Sequence, residues 1–426
     1  MTTLTSETPV GYIELLRSNK DFRWLWGGQV VSLLGDWFNL IASAALLAQL
    51  TDSGLAIGGL FVIRMLAPFF AAPFAGVIAD RFNRKRILIV TDVIRFVAVL
   101  GFLFIQRPEQ VWLLYVLTGI QLGTGGFFFP TKNAILPDIV KPNEIGTANT
   151  ISSVTWSTML AIGAALGGLV AGFWGIRPAF IIDALTFIVS ALFILQVRYT
   201  PETTTTAPST TVSPLHQALQ QYMEGINYLR ERKDQLVIAT LKGTNAMIIS
   251  SGFQIVQVKL SESVFVLGEG GGISLGLFFG VAGIGTGLGP VVARWITGDN
   301  DRPMRWGIAV AWLISGTGMW IVSTLASFPI ALLGTLFRGI GGGIVWVFST
   351  QLLLQLVPGE VRGRIFATEY MIFTLLSAIG AAVIGWVLDS PLDISIIMRV
   401  MGSLTLIPAV LWALWIASSN LAQKEI

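Results

Sequence analysis

The side chains able to do chemistry in this 426-residue chain are few, and the most telling of them sit where charge is costly. There is no Cys, and the one His, His216, lies in a polar linker, so thiolate nucleophiles, disulfides, cysteine metal sites and a buried histidine relay are excluded. No Ser-His-Asp set, metal cluster or nucleotide motif is present. The run GEGGG at Gly268–Gly272 lacks the following Lys-Ser or Lys-Thr of a phosphate loop and reads as a flexible external loop. The chain therefore reads as a non-enzyme that needs no metal and no cofactor. What remains is a set of ionisable residues inside long apolar runs: Asp36, Arg64, Arg95, Lys242 and Arg338. A charge at such a depth costs at least about 2.5–3.5 kcal/mol, so each needs a partner or a task.

The elements that hold them are membrane spans. The chain is 54% hydrophobic and 12% charged, with a mean hydropathy of +0.74. A water-soluble protein of this length needs more polar surface, so the composition implies a multispanning membrane protein. The pI near 9.2 does not point to nucleic acid, because the positive charges lie in short loops between apolar runs, as a bilayer requires. Twelve spans are predicted near 22–50, 55–79, 87–106, 111–130, 148–173, 178–197, 236–258, 273–296, 306–326, 328–351, 366–388 and 394–417. With the N-terminus inside, 19 of the 27 Lys and Arg fall on the inner side, Lys132 among them; 3 fall outside and five within spans. That asymmetry predicts cytoplasmic termini. Residues 198–235 form the one long polar connection. Its second part places Leu215, Leu219, Tyr222, Met223, Ile226 and Leu229 at helical spacing, which predicts an amphipathic surface helix. The expected organisation is thus an all-α membrane protein of two six-helix bundles, 1–197 and 236–426, joined by a cytoplasmic linker. Pro142 and Glu144 after span 4 echo Pro358 and Glu360 after span 10. Repeated halves of this kind are what alternating access uses, with the two bundles rocking about a midplane site.

Asp36 lies about 14 residues from either end of span 1, about 21 Å along the helix, and so near the midplane. It could carry protons across, or form a fixed ion pair between spans. Arg64 in span 2 lies within roughly 6–8 Å of the same depth and is the expected partner. Arg338 in span 10 could meet an anionic substrate, or serve as a structural or snorkelling cation. Lys242 lies nearer the inner end of span 7, where it could snorkel. Asn245 and Gln254 complete the polar set at mid-depth. Asp183 and Glu369 lie close to span ends, where solvated or capping roles are expected.

Gly76–Arg86, GVIADRFNRKR, links spans 2 and 3. It closely resembles the G-x-x-x-D-R-x-G-R-[RK] loop of the major facilitator superfamily, through Gly76, Asp80, Arg81, Arg84 and Lys85. Asn83 stands at the second Gly position, where Asn is among the few residues able to take a left-handed backbone. FRWLWGGQVVSLLGDWF, FFFPTKNAILPDIVKPNEIGTAN and PAFIIDALTFIVSALFI extend the likeness to the drug:proton antiporter branch that holds macrolide efflux proteins and the enterobactin exporter. Two family patterns differ. The span 4 region TGIQLGTGG has no Arg, and the antiporter G-P-x-x-G-G of span 5 reads GAALGG, with Ala164 at the Pro position. The resemblance implies a monomeric bacterial inner-membrane transporter whose partners are a small-molecule substrate, protons and the lipid bilayer. It implies export of an amphipathic or lipophilic molecule by proton antiport. An uncoupled facilitator or lipid flippase, and a non-transporting receptor or assembly partner, are the alternatives. It also implies that the loop motif, with Asp92 and Arg95 in the same charge network, gates transport, Asp80 sitting near the start of span 11.

Overall fold

Lipid offers no partner to a backbone N–H or C=O, so a chain this apolar satisfies its polar groups within helices. The structure, a computed structural model, describes residues 10–199 and 214–422; the side chains at 76, 77, 80, 81, 153, 157, 160, 161, 214–219, 221, 222, 360 and 419–422 lie outside that description. Every regular element among the described residues is helical. A short α1 (Tyr12–Ser18) precedes α2 (Lys20–Leu50), α3 (Gly54–Arg81), α4 (Arg84–Phe102), α5 (Val111–Ile139), α6 (Ile145–Trp174) and α7 (Ile176–Gln196). The linker helix α8 (Pro214–Arg230) follows. Then come α9 (Lys233–Asn245) and α10 (Ser251–Ser263), joined by a π-turn over Ala246–Ser250. The chain continues through α11 (Gly272–Thr297), α12 (Asp301–Ser323), α13 (Phe328–Leu356), α14 (Gly359–Leu388), α15 (Ile394–Leu404) and α16 (Leu406–Ala422).

Ten of these segments are long and apolar enough to cross a membrane, with α9–α10 and α15–α16 each counting as one. The places of spans 3 and 5 are taken by α4, whose 19 residues carry Asp92 and Arg95, and by α6, whose apolar part is Ile162–Trp174. The helices overrun the spans read from hydropathy. α5 continues through Pro130 and Pro137 to Ile139, where the sequence reading stopped at 130. Pro is tolerated there because other groups re-satisfy the freed backbone in a spanning helix. The twelfth span is instead broken at Thr405. Pro408 explains the break: it has no N–H to offer the carbonyl of Leu404.

Two compact units result, Met1–Ser43 with Ala67–Leu215, and Ala44–Leu66 with His216–Ile426. In the first, Leu15, Phe22 and Leu25 pack with Ile135, Leu136 and Ile194, which ties α1 and the start of α2 to α5 and α7. In the second, α8 is seated by the fully buried Leu229, by Glu224 to Arg364 at 3.2 Å, and by Gly225 against Thr368. Met223, one of the apolar residues of the predicted stripe, is exposed instead.

Without an apolar driving force between helices in lipid, close packing has to hold spans together, and small residues permit it. The pair α11 and α13 shows this. A Cβ on Gly289 would stand 2.5 Å from the carbonyl oxygen of Ile340, and one on Gly339 would stand 2.6 Å from that of Ala282. Gly287, two residues before Gly289, faces open space. Gly289→Ala is expected to lower the thermal stability of the purified protein by about 1–3 kcal/mol, while Gly287→Ala leaves it unchanged. Melting followed by size-exclusion chromatography tests the contrast.

Candidate functional site

In the first unit the polar side chains of α2 form a stripe. Gln29, Ser32, Asp36, Asn39 and Ser43 follow one another at steps of three and four, so they share one helix face. Gln29, Ser32, Asn39 and Ser43 are buried, and Asp36 keeps 24% of its side chain accessible. Against this stripe α4 presents Arg95. One of its terminal nitrogens lies 2.5 Å from Asp36 Oδ1, and the other donates to Ser32 Oγ at 3.1 Å. Asp92, one turn back on the same face of α4, approaches Arg95 at 3.7 Å and is fully buried. The guanidinium lies over the Phe187 ring at 4.0 Å and near Phe128 at 5.9 Å. One cation is therefore shared between two carboxylates in an enclosed, aromatic-walled site.

The backbone around Asp36 is set by small residues. A Cβ on Gly35 would come within 2.5 Å of Asp183 Oδ1, and Cβ atoms on Gly163 and Gly167 would meet Trp37 and Phe38 at 2.7 and 3.1 Å. The GAALGG segment of α6 thus lets α2 approach beside Asp36. Further along, Lys132 of α5 is buried, donates to Gln29 Oε1 at 3.1 Å and lies 5.2 Å from the Phe129 ring.

Several sequence expectations are revised here. Asp36 pairs with Arg95, a partner that depth alone did not single out, because rotation about the helix axis also decides which groups meet. Among the described residues, Arg95 and Asp92 form no ion pair with Arg84 or with its partner Asp138. Arg84 binds Asp138 at 2.7 Å and the carbonyl of Ala134 at 3.0 Å, while Lys85 donates to the carbonyls of Leu195 and Val197 at 2.9 and 2.8 Å. Both cations sit at C-terminal helix ends, where exposed carbonyls favour positive charge. Asn83 is not left-handed: its φ is −61°, and its side chain caps α4 by accepting from the Arg86 N–H at 3.1 Å. Asp183 and Glu369 are buried rather than solvated, and Lys132 is not an inner-loop charge. The side chains of Gly76, Asp80 and Arg81 lie outside the described residues.

In the second unit Lys242 of α9 meets Glu369 of α14 at 2.9 Å, both side chains being buried, and the ammonium lies 4.7 Å from the Trp346 ring. Lys242 is thus neutralised in place rather than snorkelling. Asn245 donates to Ser250 Oγ at 3.0 Å across the π-turn, and Gln254 is half-buried on α10. Arg338 of α13 faces the ring of Phe253 at 5.0 Å. A cluster missed in the sequence lies around Arg305, which binds both oxygens of Asp234 at 2.6 Å and Asp301 at 2.7 Å. Trp415 and Trp412 donate to Asp234 and to the Arg305 carbonyl. The i,i+4 spacing of Asp301 and Arg305 was its one visible sign.

Helices of spanning length, with ion pairs buried at mid-helix, define the class of multi-pass membrane proteins. The chain belongs to the Major Facilitator Superfamily, whose profile matches residues 25–368. It is 27% identical over 401 residues to YfiS of Bacillus subtilis (strain 168), an uncharacterised transporter of that superfamily, covering 92% of each chain. It is 25% identical to BacE of the same organism, whose assignment as a bacilysin exporter is provisional, covering 90% of this chain and 92% of BacE. It is also 25% identical to macrolide efflux protein A of Streptococcus pyogenes, over 60% and 66% of the two chains. In fold it is similar to the nucleoside transporter NupG, with a TM-score of 0.71 at 14% identity, over 92% of this chain and 98% of NupG. A bacterial homologue of the iron transporter ferroportin, in an inward-facing state, gives 0.69 at 15% identity, over 94% and 99% of the two chains.

Removing one member of a buried pair leaves the other uncompensated. Arg95→Ala is therefore expected to cost about 3–5 kcal/mol of stability. Asp36→Asn combined with Arg95→Ala is expected to recover part of that loss. A double-mutant cycle of melting temperatures in detergent measures the coupling.

Proposed function

We propose that this transporter exports an amphipathic or lipophilic small molecule in exchange for protons by alternating access. In this reading it is a monomer of the bacterial inner membrane with both termini cytoplasmic. The observation that carries the coupling is the Asp36–Arg95–Asp92 cluster. With both carboxylates ionised, one guanidinium leaves the cluster with a single surplus negative charge, and one proton neutralises it. Of the two acids, Asp36 is the one with accessible surface, 24% against none for Asp92. Proton uptake at Asp36 would weaken its hold on Arg95 and free α2 to shift against α4. Asp36 and Arg95 replace Asp36 and Arg64 as the coupling pair in this reading. The export direction is supported by the likeness to BacE and to macrolide efflux protein A. The orientation is supported by the excess of Lys and Arg on one side.

Gating is assigned to the Gly76–Lys85 motif, with Arg84 and Lys85 anchoring the start of α4 to the ends of α5 and α7. Arg338, Asn245 and Gln254 are proposed to face the substrate. Lys242 joins them only if its pair with Glu369 opens.

Asp36→Asn is expected to abolish pH-driven transport by purified protein in liposomes while leaving expression and elution volume unchanged. Undiminished pH-driven flux would remove Asp36 from the mechanism. Equal flux by the unmodified protein with and without a pH gradient would instead establish an uncoupled facilitator or flippase. Absence of any flux, with a protein partner bound, would establish a receptor role.

A further inference from the structure

Among the described residues, Arg338 lacks the carboxylate that three other buried cations of this protein, Arg95, Lys242 and Arg305, have within ion-pair distance. Its Nε is enclosed without a hydrogen-bond partner, and its one charge-directed contact is the face of Phe253. The same face of α13 then leaves room. One turn on, Gly342 looks at the π-turn, where an added Cβ would still be 3.6 Å from Asn245 Nδ2 and 4.0 Å from Ser250 Oγ. Asn245 Oδ1 is likewise enclosed and unpartnered. The neighbouring glycines differ: Gly339 and Gly341 are pressed against α11 and α12. The helix is therefore pressed tightly on two sides, while toward Asn245 and Ser250 a Cβ on Gly342 would meet only ordinary contacts.

We propose that Arg338 binds a carboxylate on the transported molecule, with Asn245 and Ser250 as adjacent polar contacts and Phe253 packing under the guanidinium. This rests on the transporter reading and names its substrate class. A guanidinium presents a planar fork of N–H donors that matches a planar oxyanion at two points. A buried cation with one aromatic ring and no carboxylate beside it is costly unless a ligand supplies the missing charge.

The test uses fluorescein and rhodamine 6G, which share a tricyclic skeleton but carry opposite charge, on full-length protein in lipid nanodiscs. Fluorescence polarisation is expected to show fluorescein binding, displaced by octanoate but not by methyl octanoate. Arg338→Gln is expected to weaken that binding about tenfold or more, with Arg338→Lys intermediate. Displacement by octyl phosphate but not octanoate would assign a phosphate-type anion and overturn the carboxylate. Equal binding in Arg338→Gln, absence of fluorescein binding, or preference for rhodamine 6G would overturn the proposal. Transport of rhodamine 6G alone would do so while leaving the transporter reading intact.

A second inference rests on a separate set of contacts in the same unit. Asp389, at the C-terminal end of α14, accepts from the Gly54 N–H at 2.5 Å, the Leu55 N–H at 3.1 Å and the Ser53 hydroxyl at 2.8 Å. These are the free donors at the start of α3, where the helix dipole favours a carboxylate. Below it the two helices touch, since a Cβ on Gly58 would stand 2.8 Å from the Ala381 carbonyl oxygen. The family resemblance of the loop motif implies a gating role for Asp80, at the other end of α3. We infer that Asp389 is its reciprocal on the opposite membrane face: a latch that holds the outer ends of α3 and α14 together and must release for that face to open.

Because the chain has no Cys, a single Ala381→Cys reports on this contact alone. Ala381 is fully buried. A membrane-impermeant maleimide added from outside is expected to label it slowly. Asp389→Asn should speed the labelling several-fold, and Asp389→Glu should hold it near the original rate. Equal rates in all three, with unchanged elution volume, would overturn the latch.

Discussion

A cation inside this protein must find a carboxylate, an aromatic face or a ring of helix-end carbonyls, and that requirement organises both units. Removing an ion from water costs several kcal/mol even after relaxation, and only close, well-oriented partners offset it. The solutions differ with depth. At helix ends, Arg84 and Lys85 use the carbonyls that close α5 and α7. Deeper, Arg95 and Lys242 use carboxylates from facing helices and aromatic rings beneath them. Arg305 combines two carboxylates with two Trp side chains and so joins α9, α12 and α16.

Such pairs form only if helices come close, which makes packing and electrostatics one problem. Gly35 makes room for Asp183, and Gly163 and Gly167 make room for Trp37 and Phe38 on either side of the Asp36 turn. A larger residue at any of them would push α2 away and lengthen the 2.5 Å contact between Asp36 and Arg95. The π-turn at Ala246–Ser250 has a related effect in the second unit. The extra residue in that turn rotates α10 relative to α9, so that Lys242 meets α14 while Phe253 meets α13.

Most of the spans, the family and the place of Asp36 near the middle of its helix were legible in the sequence because hydropathy and loop motifs are one-dimensional signals. What failed were inferences that needed an angle about a helix axis or a helix end. Depth pointed to Arg64 and gave no sign of Arg95, whose rotation on α4 brings it to Asp36. The step of three and four from Gln29 to Ser43 was present in the sequence and marks the face that Arg95 meets. Lys132 was read as a loop residue because the apolar run stops at Pro130, whereas α5 runs nine residues further. Glu369 was read as terminal because the apolar run starts near 366, although α14 begins at Gly359 and places Glu369 more than two turns inside. Asn83 needed no special backbone, since at that position its side chain matters as a cap.

The charge balance of the three deep sites bears on how export would be driven. With every group ionised, the Asp36–Arg95–Asp92 cluster would carry one surplus negative charge, the Lys242–Glu369 pair none, and Arg338 one surplus positive charge. In the proposed reading a proton would neutralise the first site and a carboxylate the third. If one proton enters as one carboxylate-bearing anion leaves, two positive charges effectively move inward per cycle. A membrane potential contributes about 2.3 kcal/mol per charge per 100 mV, so the potential alone would supply about 4.6 kcal/mol per 100 mV to this exchange. Exchange of a proton for a neutral molecule would draw half of that, and exchange for a monocation would draw nothing from the potential. An anion-selective Arg338 and a proton-binding Asp36 would therefore reinforce each other energetically, although they lie in different units of the chain.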